Sequence, residues 1–129
     1  GNASQAFDLT LAYLKERKQF GSLIGTFQAL QHRAAEMYSE LELTKSSVIA
    51  ACVAVDENSN DLTRMASLAK FKAGETNHLV TNEAVQMHGG VGVTEEYDVG
   101  LYLKRARVTE HIFGNAEYHL YRYASLSEY

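Results

Sequence analysis

Residues 27–55 read FQALQHRAAEMYSELELTKSSVIAACVAV, and this stretch decides the fold. Phe27, Leu30, Ala34, Met37, Leu41, Thr44, Val48, Ala51 and Val55 follow one another at alternating steps of three and four residues. That spacing puts them on one stripe of a helix, while Arg33, Glu36, Glu40 and Lys45 fall off it. The pattern predicts a helix of about 40 Å, at roughly 1.5 Å per residue, with Thr26 as its N-cap. A helix of that length buries its stripe only against long neighbours.

The rest of the chain supplies them. Asp56 to Asp61 (DENSND) is polar and turn-forming, so the chain reverses there. Leu62, Met65, Ala69, Ala73, Thr76, Val80, Ala84 and Met87 then form a second long stripe, rich in small residues that allow close packing. A shorter pattern runs from Ala3 to Lys18 through Ala6, Leu9, Tyr13 and Leu14. Tyr97, Leu101, Lys104, Val108 and Ile112 lie at helical spacing, and Asn115 to Ser127 makes a final helix with Tyr118 or His119, Arg122 and Leu126 on related faces. Val91 to Thr94 reads as a short extended piece. The expected fold is all-α: an antiparallel up-and-down four-helix bundle with a short additional C-terminal helix, one domain over residues 1–129. With no initiating methionine and a helical pattern from about residue 4, the sequence reads as part of a longer protein, Gly1 to Ala3 being an expression remnant.

Composition excludes several classes. A net charge of −4 and a hydrophobic fraction of 46% describe an ordinary soluble domain. The basic residues at Lys15, Arg17 and Lys18 and at Lys104, Arg105 and Arg107 are too few to make a nucleic-acid face. No stretch is apolar enough to cross a membrane. Cys52 stands alone, so no internal disulfide or cysteine-based metal cluster forms; it reads as a small buried thiol, and the expected setting is reducing and cytoplasmic. The five histidines, His32, His78, His88, His111 and His119, lack metal-ligand spacing and read as packing or surface residues.

Two constellations carry chemistry. His88-Gly89-Gly90-Val91-Gly92 follows a helix, and on physics alone it reads as a helix end with positive-φ glycines. Consecutive glycines also bare backbone N–H groups, letting an anionic or planar ligand approach the main chain. Arg17-Lys18-Gln19-Phe20-Gly21 sets a guanidinium at a helix C-terminus beside an aromatic ring. The helix dipole alone favours an arginine there; the same arrangement could clamp a diphosphate and pack on a heteroaromatic ring.

The combination resembles a known family. Arg17-Lys18-Gln19-Phe20-Gly21 followed by Ile24-Gly25-Thr26-Phe27-Gln28-Ala29-Leu30-Gln31 is similar to the signature at the start of the C-terminal bundle of acyl-CoA dehydrogenases. Ala84-Val85-Gln86-Met87-His88-Gly89-Gly90-Val91-Gly92-Val93-Thr94-Glu95-Glu96-Tyr97 resembles that family's second signature, and the likeness covers essentially the whole chain. The resemblance implies FAD lying across a subunit boundary in a dimer or tetramer. Arg17 would then contact its diphosphate with Gln19 and Phe20 nearby, Phe27 and Gln28 would line the adenosine region, and Gln86, Met87, His88, Gly89 and Gly90 would approach the neighbouring subunit's cofactor. Asn115 joins the same expected set. The implied reaction is α,β-dehydrogenation of an acyl-CoA thioester: a carboxylate removes the α-proton, the β-hydrogen leaves as hydride to the flavin, and an electron-transfer flavoprotein takes the electrons.

One departure stands out. The family's usual Tyr-Glu-Gly-Thr carries the base, whereas this chain reads Ile112-Phe113-Gly114-Asn115 and places Phe113 at the base position. No catalytic residue is therefore assigned; Glu110 and Glu117 align with other positions. Three explanations follow: a base upstream of Gly1, a base-less subunit completing FAD sites in a heteromer with an active partner, or a bundle that has lost catalysis and serves association. The heteromer is favoured, because the Phe113-Gly114 variant resembles relatives working on bulky, steroid-like acyl-CoAs in mixed assemblies. A second departure, Asp98 where many relatives have proline, suits the positive end of the fourth long helix.

Overall fold

The computed structural model describes residues 1–127. Five α-helices dominate it: α1 (Asn2–Glu16), α2 (Gln28–Asp56), α3 (Leu62–His88), α4 (Val99–His111) and α5 (Ala116–Leu126). Pairings across the bundle fix their directions. Asn2 bonds Asn77 and Tyr13 meets His88, so α1 runs parallel to α3. Arg33 pairs with Glu83 and Thr44 bonds Thr76, so α2 is antiparallel to α3. Arg107 meets His78 and Asn82, and Lys70 bonds the carbonyls of Thr109 and Glu110, so α4 is antiparallel as well. The up-and-down bundle is the one expected, and α5 packs along α3 beyond it.

The core is made of the two central stripes and the inner face of α1. Phe7, Leu14, Met37, Leu41, Val80, Ala84, Met87 and Val99 are all buried there. Several polar groups are satisfied inside it. Thr10 returns its hydroxyl to the Ala6 carbonyl, and Asn2 donates to both Asn77 and the Tyr102 carbonyl. The α2–α3 turn closes with Asn58 at φ 48, Ser59 N–H on the Ala54 carbonyl and Asn58 N–H on the Val55 carbonyl. This is the Schellman arrangement, for which asparagine tolerates the left-handed position.

Five expectations change. Along the α2 stripe only Met37 and Leu41 are buried; Leu30, Ala34, Thr44 and Ala51 are half-buried, and Phe27, Val48 and Val55 are exposed, α1 beginning alongside Thr44. Cys52 is exposed for a related reason, lying one residue past the stripe on that uncovered half. Thr26 does not cap α2. It sits in a 3-10 turn (Ile24–Thr26) with its hydroxyl on the Leu23 carbonyl, and the N-cap residue is Phe27, without a side-chain cap. Val91 to Val93 is not extended: Gly89–Val93 is a 3-10 turn, closed by the N–H of Thr94, itself extended, on the Val91 carbonyl. Asp98 lies one residue outside α4, at its N-cap, where its backbone carbonyl accepts from Leu101 and Tyr102.

Two two-residue strands were not expected. β1 (Lys18–Gln19) and β2 (Ser22–Leu23) pair antiparallel around Phe20 and Gly21, at φ 54 and 78. Positive φ at both central residues is the hairpin turn whose twist matches its strands.

Candidate functional site

Because α1 and α3 are parallel, their C-termini meet at one end of the bundle, and that end gathers both signature motifs. Arg17 follows α1 as its C-cap and is exposed; its N–H bonds the Tyr13 carbonyl. Lys18 to Leu23 form the hairpin, with the Phe20 ring 91% exposed at its tip. Phe20 meets Phe27 edge-on at 6.3 Å, and Gln28 opens α2 in the open. Gln19 and Gln86 are also exposed.

A stack ties the last turn of α1, which leads into the first motif, to the second motif. The Tyr13 ring lies over His88 at 4.2 Å and 22°, and Tyr97 closes edge-on against Tyr13 and tilted against His88 at 5.2 Å from each. The Tyr13 hydroxyl donates to the His88 carbonyl at 3.3 Å. His88 donates from Nδ1 to the Ala84 carbonyl at 2.7 Å, leaving Nε2 buried without a partner. Burial pushes the imidazole below its usual titration range, partly offset by the Ala84 carbonyl. The ring is thus a neutral spacer between α1 and α3. Met87 is buried in the core beside it.

The glycines after His88 divide by cause. Gly92 is required by packing, since a Cβ there would meet the Val85 carbonyl oxygen at 2.7 Å and His88 Cβ at 2.9 Å. Gly89 is required by its φ of 66, yet a Cβ on Gly89 or Gly90 would meet nothing within 4 Å. Packing therefore explains Gly92 and leaves Gly90 without a structural cause. An exposed guanidinium, a bare glycine main chain and an exposed phenyl ring share one end of the molecule, which suits an anionic group joined to a flat ring.

Phe113 and Asn115 lie at the opposite end, after α4. Phe113 has φ 62 with its ring 89% exposed, and Gly114 has φ 99. Asn115 is the N-cap of α5, its side-chain oxygen accepting from Tyr118 N–H at 2.9 Å. His119, buried, is the inward residue of the pair Tyr118 and His119, and its Nε2 bonds the Phe113 carbonyl. Ile112 and Phe113 border an open groove of about 810 Å³, walled also by Thr44, Val48 and Ile49 of α2 and by Lys70 and Ala73 of α3.

Sequence reasoning missed four residues that shape these two ends. Tyr13 and Tyr97 appeared only as stripe positions, and contacts across 75 residues of chain leave no local pattern. Lys70 carried no signal. His119 was read as packing, and only its place six residues after Phe113 hinted otherwise.

Comparison with known proteins bears on this arrangement. A family model described as acyl-CoA dehydrogenase, C-terminal domain, matches residues 1–125. The chain is 42% identical over 114 residues to acyl-CoA dehydrogenase IpdE2 of Mycolicibacterium smegmatis, covering 88% of this chain and 35% of that one. Butyryl-CoA dehydrogenase from Megasphaera elsdenii superposes with a TM-score of 0.94 at 30% identity, covering 99% of this chain and 33% of that one. The ChsE4-ChsE5 complex from Mycobacterium tuberculosis superposes with a TM-score of 0.92 at 32% identity, covering 100% and 35%. The chain spans about a third of the length of these relatives.

Proposed function

We propose, for a chain that belongs to the acyl-CoA dehydrogenase family as its C-terminal domain, that it supplies FAD contacts and an oligomer interface to an enzyme that dehydrogenates acyl-CoA thioesters. Acyl-CoA dehydrogenases are FAD-dependent oxidoreductases. The observation that carries the reading is the gathering of both signature motifs at one bundle end, where the Tyr13–His88 stack holds the end of α1 against that of α3. FAD, when bound, supplies the hydride acceptor. This chain's residues bind and orient. Arg17 offers a guanidinium fork to the diphosphate, with Gln19 and Phe20 beside it, and Phe27 and Gln28 flank the adenosine. Gln86 and the main chain of Met87 to Gly90 meet the neighbouring subunit's cofactor, His88 acting as the spacer that sets the glycine turn. Asn115, at the other end, completes the proposed cofactor set.

Phe113 favours a second reading within the same family. A phenyl ring accepts no proton, so a subunit with Phe113 at the base position completes FAD sites in a heteromer whose partner deprotonates the substrate. The ChsE4-ChsE5 complex is a mixed assembly of similar fold, which supports this form. An electron-transfer flavoprotein takes the electrons, and a reducing, cytoplasmic setting suits the free Cys52.

The test is to express the full-length parent alone and with its genomic neighbours, and to record the flavin spectrum before and after adding acyl-CoAs. Stoichiometric FAD that bleaches in the parent alone places a base upstream of this domain. FAD retained only with a second subunit, or bound without bleaching, supports the heteromer. Arg17→Ala is expected to lower flavin content several-fold; unchanged content would overturn the diphosphate role.

A further inference from the structure

The loop joining α4 to α5 is held from outside at three places, and the side chain of residue 113 takes part in none of them. Lys70 of α3 donates from Nζ to the carbonyls of Thr109 and Glu110, at 3.2 and 3.3 Å, in the last turn of α4. Those carbonyls have no partner within their own helix, so the ammonium both satisfies and anchors the end of α4. His119 of α5 donates from Nε2 to the Phe113 carbonyl at 2.9 Å. Its Nδ1 is buried without a partner, so Nε2 is the nitrogen that donates. Asn115 fixes the far side by capping α5.

Between these anchors the backbone takes a shape that a phenylalanine would not choose. At φ 62 a side chain with a Cβ is strained, and the residue recovers nothing by packing, standing 89% exposed. Gly114 makes the approach of α5 possible: a Cβ there would meet Tyr118 Cδ1 at 2.6 Å and His119 Nε2 at 3.1 Å. The conformation of residue 113 is thus imposed by its neighbours.

We infer that Lys70 and His119 are positioning residues, which fix the backbone and the Cα–Cβ direction of residue 113 whatever side chain it bears. The inference rests on the proposed reading that residue 113 stands at the family's base position. It adds that this chain keeps the mounting of a base while carrying a phenyl on it.

The test uses nuclear magnetic resonance of the 129-residue chain, so that it does not depend on cofactor. Residue 113 is expected to show a left-handed backbone, from its Cα shift and strong intraresidue amide-to-Hα contact, and His119 the Nε2-protonated tautomer. Phe113→Glu should leave both signatures in place. His119→Leu should abolish the left-handed signature, and His119→Gln, whose amide can still donate, should restore it. Lys70→Met should speed amide exchange in residues 111–114, and it serves as the second probe if His119→Leu does not fold. A left-handed residue 113 in both His119→Leu and Lys70→Met, or its loss in Phe113→Glu alone, would overturn the inference. Flavin content of the full-length parent reads the proposed function separately, so failure of one is told from failure of the other.

Discussion

Phe20 and Phe113 stand at opposite ends of the bundle with the same backbone handedness, and both rings face water. In each case a glycine follows, and in each case neighbouring hydrogen bonds hold the turn. The second glycine is the more constrained. Gly114→Ala should lower stability by roughly 2–3 kcal/mol, because a methyl group there combines φ 99 with a clash against Tyr118; urea unfolding measures it, and a loss under about 0.5 kcal/mol would mean that α5 shifts freely. His88 gives a pH prediction. Its folded titration lies below the ordinary histidine value, so the unfolded chain binds protons more readily. Its contribution is whole above that ordinary value and is lost as pH falls through the folded one. Unfolding free energy should therefore decline as the solution is acidified below about pH 6.5, and His88→Phe should flatten part of that slope.

At the scale of elements, the helices were legible because two stripes at helical period ran unbroken for most of their length. What periodicity could not give was how far each stripe is covered. Val48 and Val55 continue the pattern of Met37 and Leu41, but only the position of α1 decides that the former are exposed. The Lys18–Leu23 hairpin was invisible because two-residue strands have no alternation to read. Val91 to Thr94 has strand-like composition, yet the left-handed Gly89 and the packing of Gly92 curl Val91 to Val93 into a 3-10 turn. The signature motifs were readable through resemblance, whereas their junction at Tyr13 and His88 was not. Asn115 was expected at the start of the last helix and is its N-cap, so Asn115→Ala should cost about 1 kcal/mol in thermal or urea unfolding. No measurable loss would mean that His119 alone holds the α5 entrance.

For the molecule as a whole, the residues of the proposed function are split between two ends that share no side chain. Arg17 and the glycine turn sit where α1 and α3 finish, and residue 113 sits where α4 finishes. Among the described residues no helix is long and apolar enough to cross a membrane. The parallel alignment of α1 and α3 has a consequence for the order of assembly. Helices α2 and α3 are joined by a turn of a few residues and find each other locally. The Tyr13–His88 contact closes a chain segment of 75 residues, and Asn2 reaches Tyr102 across 100. Closing those loops costs more entropy and slows the contacts that depend on them. Native-state hydrogen exchange should then find the slowest amides in α2 and α3, with α1 detaching at lower free energy; α1 amides in the slowest class would contradict this order. Helix α1 would be the last to dock and the first to come away, so a ligand bridging Arg17 and the glycine turn would act as a latch on folding.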